Sequence, residues 1–393
     1  MTMTKPLSKR ALEKAESLKS ELEKLSDDIL NNPELGYEEH FSSKAHKELL
    51  QKHGFTVEMP YLGMDTAFKA TYDTGKEGPT IAYLSEYDAL PGIGHGCGHN
   101  LLGTTSTGAA ILLRYLEDFR GRIIVFGTPA EETSGGKVDM VKEGGFEDVD
   151  AALMAHPADS HMQSGKSLAL EALEFKFTGR TSHAAASPEK GINALDGVLL
   201  MFNNINALRE HILPSARIHG IITKGGEAAN IVPGEAVAQF YIRATSKTYL
   251  MELKEKVLNC AKAGALASGA SLDYYNYEKP YDNLVTNQLL SDLYTEQLQS
   301  LGITNIEKEK GSTGSLDMGN VSHAVPAIHP YFDIIESGDV SAHTVEFRDA
   351  TKTDYALNSM IQTLTALALT GVKLSQDRDL LQSIKEEFQR TPK

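Results

Sequence analysis

Thr80-Ile81-Ala82-Tyr83-Leu84-Ser85-Glu86-Tyr87-Asp88-Ala89-Leu90-Pro91-Gly92-Ile93-Gly94-His95-Gly96-Cys97-Gly98-His99-Asn100 joins an apolar strand, two carboxylates and a glycine-spaced loop in one short stretch. Thr80 to Leu84 reads as a strand. Gly92, Gly94, Gly96 and Gly98 are too dense for strand or helix, and they let the backbone turn tightly so that side chains approach a common centre. A dinucleotide loop is excluded. From Gly92 the last place of a Gly-x-Gly-x-x-Gly pattern is Cys97, and from Gly94 it is His99, where phosphate needs bare backbone. Thiolate and imidazole are the donors zinc prefers, so Cys97-x-His99 has the chemistry of a ligand pair. Asn100 is read as the N-cap of a helix over 101–119, and that helix start is expected to lower the Cys97 pKa. Taken alone, such a pair is more often a packed thiol and a hydrogen-bonded turn histidine.

The neighbouring strands change that reading. Arg122-Ile123-Ile124-Val125-Phe126 is continuously apolar, as in a strand buried on both faces, and it runs into Thr128-Pro129-Ala130-Glu131-Glu132-Thr133. Ala151-Ala152-Leu153-Met154-Ala155 runs into His156-Pro157. Ligands in open α/β sheets bind beyond the carboxyl ends of the strands, so three strand ends bearing carboxylate or imidazole converge on one place. Adjacent Glu131 and Glu132 point to different sides, which lets one bind a metal while the other works on water. A further imidazole must come from elsewhere. His40, His46 and His53 read as lying on a charged surface helix, while His323, His329 and His343 lie toward the C-terminal end. His343 sits in a loop before a helix, but the residues alone do not separate it from His329.

Around this centre the chain alternates strands and helices, which implies a mixed, largely parallel sheet with helices on both faces. Amphipathic helices are expected over 7–31 and 38–53, and further helices over 137–143, 284–301, 353–371 and 376–388. The middle reads differently. A strand over 170–178, a helix over 191–212, strands over 217–223 and 235–244, a helix over 247–267 and a strand over 271–278 give β-α-β-β-α-β, the layout of a ferredoxin-like α+β module. The expected organisation is a catalytic domain in two parts, 1–168 and 279–393, with an inserted domain over 169–278.

The 393 residues carry 38 Lys+Arg against 53 Asp+Glu, a net charge of −15. That balance argues against nucleic acid or an anionic membrane as partner. Two cysteines exclude a disulfide scaffold and fit a reducing compartment. No apolar run approaches the ~18–20 residues of a membrane span, and the first residues lack the apolar core of a secretory signal. The expected location is the cytoplasm.

Asn32-Pro33-Glu34-Leu35-Gly36-Tyr37-Glu38-Glu39, Tyr87-Asp88-Ala89-Leu90-Pro91 with Cys97-Gly98-His99, Pro129-Ala130-Glu131-Glu132 and Ala342-His343-Thr344 together resemble the two-metal amidohydrolases of peptidase family M20. The resemblance is to its cysteine-ligand branch of hippuricase-like, auxin-conjugate and aminobenzoyl-glutamate hydrolases, and it covers essentially the whole chain. It implies that Cys97, His99, Glu132, His156 and His343 hold two divalent ions, zinc or manganese, with Glu131 as general base. It implies that the insert is a lid through which the chain forms a homodimer, with His183 reaching a neighbouring subunit's site. Asn230, after Gly225-Gly226, and Arg243 would bind the carbonyl and carboxylate of a small amide substrate. Glu86 stands where many members have Asp, so neither it nor Asp88 is assigned as a ligand. Three rival readings follow from the same residues: a cysteine hydrolase using Cys97 and His99, a non-catalytic metal-binding homologue, and a metallo-aminopeptidase of similar architecture.

Overall fold

The computed structural model describes residues 5–308 and 314–392. In chain order it begins with α1 (Leu7–Leu30), α2 (His40–Lys52), β1 (Thr56–Glu58), β2 (Phe68–Asp73), β3 (Thr80–Ser85), α3 (His99–Tyr115), β4 (Arg122–Gly127), α4 (Gly136–Lys142), β5 (Ala151–Leu153) and β6 (His156–Ala158). There follow β7 (Ala169–Thr178), α5 (Ala194–Leu208), β8 (Arg217–Lys224), β9 (Glu235–Ala244), α6 (Lys247–Ser268) and β10 (Ser271–Asn276). The remaining elements are α7 (Gln288–Ser300), α8 (Met318–Ala324), β11 (Ala327–Ile328), β12 (Tyr331–Asp333), α9 (Val345–Ala350), α10 (Asp354–Gln376) and α11 (Arg378–Arg390). The described residues of Met1–Lys166, Leu284–Ser312 and Leu316–Pro392 form one compact unit, and those of Ser167–Asn283 with Gly314 and Ser315 form a second.

The first unit is built on a sheet of strand order β1-β2-β4-β3-β5-β11. β4, β3, β5 and β11 are parallel, while β2 joins β4 antiparallel and β1 joins β2 antiparallel. The sheet is mixed and largely parallel, as the alternation of strands and helices implies, but β1 and β2 are not among the strands read from the sequence. β1 is only three residues long and carries no apolar alternation that a sequence reading could detect. Alternation along the inner strands divides the core between the two faces. Ile81, Tyr83, Ile123, Val125, Ala151 and Leu153 pack with α1, α3, α7 and α10. Ala82, Leu84, Ile124, Phe126 and Ala152 pack with Met140 of α4 and with Met318 and Val321 of α8. Burial on both faces is why these strands read as unbroken apolar runs. α1 joins the first face through Ala11, Ala15, Leu18, Leu22, Leu25 and Ile29, an i/i+3/i+4/i+7 stripe. Each fully buried leucine of that stripe contributes about 1.5–3 kcal/mol.

The second unit is an antiparallel sheet of order β10-β7-β9-β8, which is the strand arrangement of a ferredoxin-like module. β9 buries Ala236, Ala238, Phe240, Ile242 and Ala244 at every second position, and these pack against Val198, Met201 and Ile205 of α5 and Leu253 and Val257 of α6. β7 extends the expected pattern: Leu170 exchanges backbone hydrogen bonds with Tyr281 at 2.8 and 3.0 Å.

Two local readings are corrected. α3 starts at His99, not after Asn100, and its N-cap is Gly98 in the left-handed region (φ 78°). A Cβ there would lie 2.6 Å from Pro157 Cγ, so only glycine fits. Asn100 instead donates to Ser26 Oγ at 3.0 Å and Thr351 Oγ1 at 3.3 Å. His46 is not on the surface: it is fully buried, with Nδ1 2.9 Å from Thr107 Oγ1.

Candidate metal centre

The parallel strands β3, β4 and β5 point their carboxyl ends the same way, and the polar residues beyond them meet. β3 delivers Glu86 and Asp88, β4 delivers Glu131 and Glu132, and β5 leads to His156 at the start of β6. β11 ends one residue before His329. Ligand atoms of Cys97, His99 and His156 lie within 4.8 Å of one another, as do those of Cys97, Glu132 and His343, and those of His99, Glu131 and Glu132. Six sequence-nominated residues are thus gathered in the first unit: Cys97, His99, Glu131, Glu132, His156 and His343.

Their hydrogen bonds determine which atoms face the centre. His99 Nδ1 lies 3.0 Å from both Asp88 Oδ1 and the Asp88 carbonyl, two acceptors, so Nδ1 carries a proton and Nε2 is the nitrogen turned to the centre. Burial opposes a charge on this ring, but Asp88 and Cys97 outweigh it and raise His99 well above the ordinary histidine value, so in the metal-free centre Nε2 carries a proton as well. His156 Nδ1 donates to the Pro157 carbonyl at 2.7 Å, and its Nε2 lies 3.5 Å from Cys97 Sγ. Asp88 Oδ2 accepts the Glu132 backbone N–H at 2.9 Å, so one carboxylate orients two neighbours. Glu39, buried beneath this loop, accepts Ala130 N–H and Thr66 Oγ1–H, both at 2.8 Å, and thereby holds Ala130 in a left-handed conformation (φ 62°) just before Glu131. His343 arrives from the loop before α9, also left-handed (φ 67°), with its N–H on the Gly96 carbonyl at 2.8 Å. Its Nε2 lies 3.5 Å from Glu132 Oε1. His329 sits behind His156, ring centroids 5.6 Å apart, and is fully buried.

Electrostatically the centre is short of positive charge. Glu86, Asp88, Glu131, Glu132 and Asp317 surround it, and Lys137 is the buried ammonium among them. Burial, together with the carboxylates of Glu86, Asp317 and Glu132, pushes Glu131 well above the usual carboxylate range. Burial also raises Glu132, but His343, His99 and Cys97 outweigh it and hold that carboxyl down at about 2. His156 is pushed down to about 4 by burial and by His99, and so stays neutral. Burial pushes the Cys97 thiol up, and the opposing pull of His99, though larger than the push of Glu132 and Glu131, does not offset it. This reverses the expected lowering by the helix start, because the desolvation of a fully enclosed sulfur exceeds one helix terminus.

Buried polar atoms with no hydrogen-bond partner test whether a cation fits. His99 Nε2, Glu86 Oε2 and Glu132 Oε1 are such atoms, and all belong to this centre. His99 Nε2 faces Glu86 Oε2 at 3.2 Å, a place that a proton fills in the metal-free centre and that a metal ion could fill instead. The donor set of thiol, imidazole and carboxylate suits zinc-type ions.

The other three nominated residues belong to the second unit. The His183 and Ile231 segments form a β-bridge, with Ala184 N–H on the Asn230 carbonyl at 3.0 Å. His183 Nδ1 accepts the Ala185 and Ala186 N–H groups, both at 3.2 Å, which leaves the proton on the exposed Nε2. Arg243 on β9 lies over the Tyr241 ring (5.6 Å), and its Nη1 donates to Ser315 Oγ at 2.9 Å. The sequence reading did not assign roles to Glu39, Lys137 or Asp317. A charge inside the short helix α4, next to glycine, was the only available signal for Lys137.

Residues 69–369 match the family described as Peptidase family M20/M25/M40. The chain is 38% identical over 402 residues to the Xaa-Arg dipeptidase of Mus musculus, covering 97% of this chain and 92% of that protein. It is 30% identical to a p-aminobenzoyl-glutamate hydrolase subunit of Escherichia coli (strain K12), covering 93% and 91%. Among solved structures, an aminobenzoyl-glutamate utilization protein from Klebsiella pneumoniae superposes with a TM-score of 0.72 at 20% identity, over 92% of this chain and 97% of that one. A dinuclear metal binding peptidase from Bacillus subtilis superposes at 0.69 and 18% identity, over 91% and 99%. Fold and sequence agree: the chain belongs to the M20 peptidase family and is a hydrolase of amide bonds.

Proposed function

We propose that Cys97, His99, Glu132, His156 and His343 hold two divalent cations, zinc or manganese, and that Glu131 is the general base of an amidohydrolase acting on a carboxylate-bearing dipeptide or N-acyl amino acid. The observation that carries this is the cluster of ligand atoms within 4.8 Å, beside buried polar atoms of the same centre that have no hydrogen-bond partner. When bound, the ions supply Lewis-acid activation of water and of the scissile carbonyl.

The chain's own residues do the rest. Glu131 is the member of the pair not needed as a ligand, and in the loaded centre, where the ions would offset the neighbouring carboxylates that push its pKa up, it takes the proton of the attacking water and passes it to the leaving nitrogen. Glu132, held ionised, stays a ligand. Asp88 keeps His99 in the tautomer that presents Nε2. His183, with its proton on Nε2, reaches a neighbouring subunit's site and donates to the developing oxyanion there, and Asn230 binds the substrate carbonyl. Arg243 pairs with the substrate carboxylate and offsets the repulsion of an anion by the acidic surface.

Residues 169–278 act as the lid and dimerisation domain of a cytoplasmic homodimer, flanked by catalytic segments 1–168 and 279–393. Among the described residues no helix is long and apolar enough to cross a membrane. Similarity to an Xaa-Arg dipeptidase along 97% of this chain makes dipeptides with a C-terminal basic residue the first substrates to try, ahead of aminobenzoyl-glutamate.

A metal-supplemented screen over dipeptides, acyl-amino acids and aminobenzoyl-glutamate tests the reading. Glu131→Ala should lower turnover by about 10²–10⁴-fold while metal content by elemental analysis stays at the wild-type value. An active variant, or a wild-type enzyme that survives chelation and dies on alkylation of Cys97, refutes it.

A further inference from the structure

A buried ionic triad beside the metal centre has no part in the chemistry above. Lys137 is wholly buried, and its Nζ lies 2.6 Å from Glu86 Oε1 and 2.7 Å from Asp317 Oδ1. Asp317 Oδ2 accepts the Lys137 backbone N–H at 3.1 Å. The three residues come from the end of β3, the first turn of α4 and the N-cap of α8. Taking three charges out of water costs several kcal/mol per ion, and a well-packed apolar trio stabilises a fold at least as well. Stability alone therefore does not account for the group.

Its geometry does. Both Asp317 oxygens and Glu86 Oε1 are bonded to Lys137. Glu86 Oε2 is left over, buried and without a hydrogen-bond partner, 3.2 Å from His99 Nε2. That nitrogen is the ring atom of His99 that Asp88 does not hold. The triad has one ammonium against two carboxylates, so it places a net negative charge against the ligand atom of His99. Gly103 keeps this approach open: a Cβ there would lie 2.4 Å from the Glu86 carbonyl oxygen, so α3 packs directly on the residue 86 backbone.

We propose that Glu86 is a further metal-facing carboxylate of the centre, and that Lys137 and Asp317 are positioning residues that hold it by Oε1 so that Oε2 faces the ion on His99. The inference rests on the metal-binding reading of the site. Glu86→Gln is isosteric and its amide oxygen still accepts from Lys137, so the fold is kept, but an NH₂ replaces the oxygen facing the ion. Lys137→Met releases Glu86 from its hold.

The test titrates metal-free, full-length protein with Co²⁺, read by equilibrium dialysis and by the visible absorption of the bound ion. Wild type should bind two Co²⁺ per chain. E86Q should bind one of them about 10- to 100-fold more weakly with an altered band, while its metal-free Tm stays close to wild type. K137M should shift the same ion in the same direction. If E86Q is unfolded by circular dichroism, Glu86→Asp decides by the same criteria, since it keeps the charge but withdraws from His99. Wild-type affinity and spectrum in the folded variant overturn the proposal and leave the metal site standing. A wild-type chain that binds no Co²⁺ overturns both.

Discussion

Asp88→Asn tests how the centre is held together. Asp88 Oδ1 accepts from His99 Nδ1 at 3.0 Å and Oδ2 accepts the Glu132 N–H at 2.9 Å. The residue is 1% exposed, so water cannot replace either acceptor. An asparagine amide offers one acceptor and one donor at the same two places. Whichever way it turns, one N–H is left facing an NH₂ group. The unmet buried donor costs about 1–3 kcal/mol in the metal-free fold. His99 Nδ1 keeps the residue 88 carbonyl but loses the charged one of its two acceptors, and losing such a partner weakens metal binding about 10- to 100-fold. At fixed zinc concentration that removes about 1.4–2.7 kcal/mol of the stabilisation zinc gives the folded chain. The assay is a pair of thermal melts, with zinc and with chelator, beside isothermal titration of zinc into metal-free protein. D88N should melt lower than wild type without metal, and zinc should raise its Tm by less. A variant with wild-type zinc affinity and a wild-type rise in Tm refutes the argument that Asp88 orients the ligands.

Two further outcomes are expected. Burial and the Asp88 charge raise Glu39 to about 7 from an ordinary 4.5, so the folded chain keeps a proton that the unfolded chain releases. Its stabilising contribution is therefore full below about pH 4.5 and lost as pH rises through about 7. Glu39→Gln keeps the acceptor for Ala130 and does not titrate, so its Tm relative to wild type should climb between about pH 5 and pH 8. A difference constant across that range counts against the buried-proton assignment. Arg243→Met should raise KM about 10- to 100-fold for substrates with a free carboxylate, the loss of a charge-assisted pair, and leave amidated analogues unchanged. Equal effects on both substrates would remove Arg243 from carboxylate recognition.

Much of the fold was legible because the apolar strands are buried on both faces and helices such as α1 on one. Leu18, Leu22, Leu25 and Ile29 mark α1, and Ile123 to Phe126 mark β4, through burial alone. The alternating residues of β9 mark the second unit in the same way. What escaped was short or depended on distant contacts. The antiparallel edge of β1 and β2 is set by pairing with β4, and β11 is two residues long. His46 reads as surface because its helix is otherwise charged, yet Thr107, far along the chain, receives it in the core. Asn100 has the composition of a cap, but the left-handed turn at Gly98 starts the helix earlier.

The sequence by itself determined the strand order of chemistry: apolar strands ending in Glu86 and Asp88, in Glu131 and Glu132, and in His156, with Cys97 and His99 on a glycine-spaced loop. Those features are local, and side-chain period and turn chemistry express them without knowledge of the rest of the chain. The tertiary structure alone decided which atoms face one another. It aimed His99 Nδ1–H at Asp88, seated Lys137 between Glu86 and Asp317, and brought His343 rather than His329 against Glu132. Each of these depends on distances between segments remote in sequence, and burial makes every such contact count because an unpaired polar group there is costly.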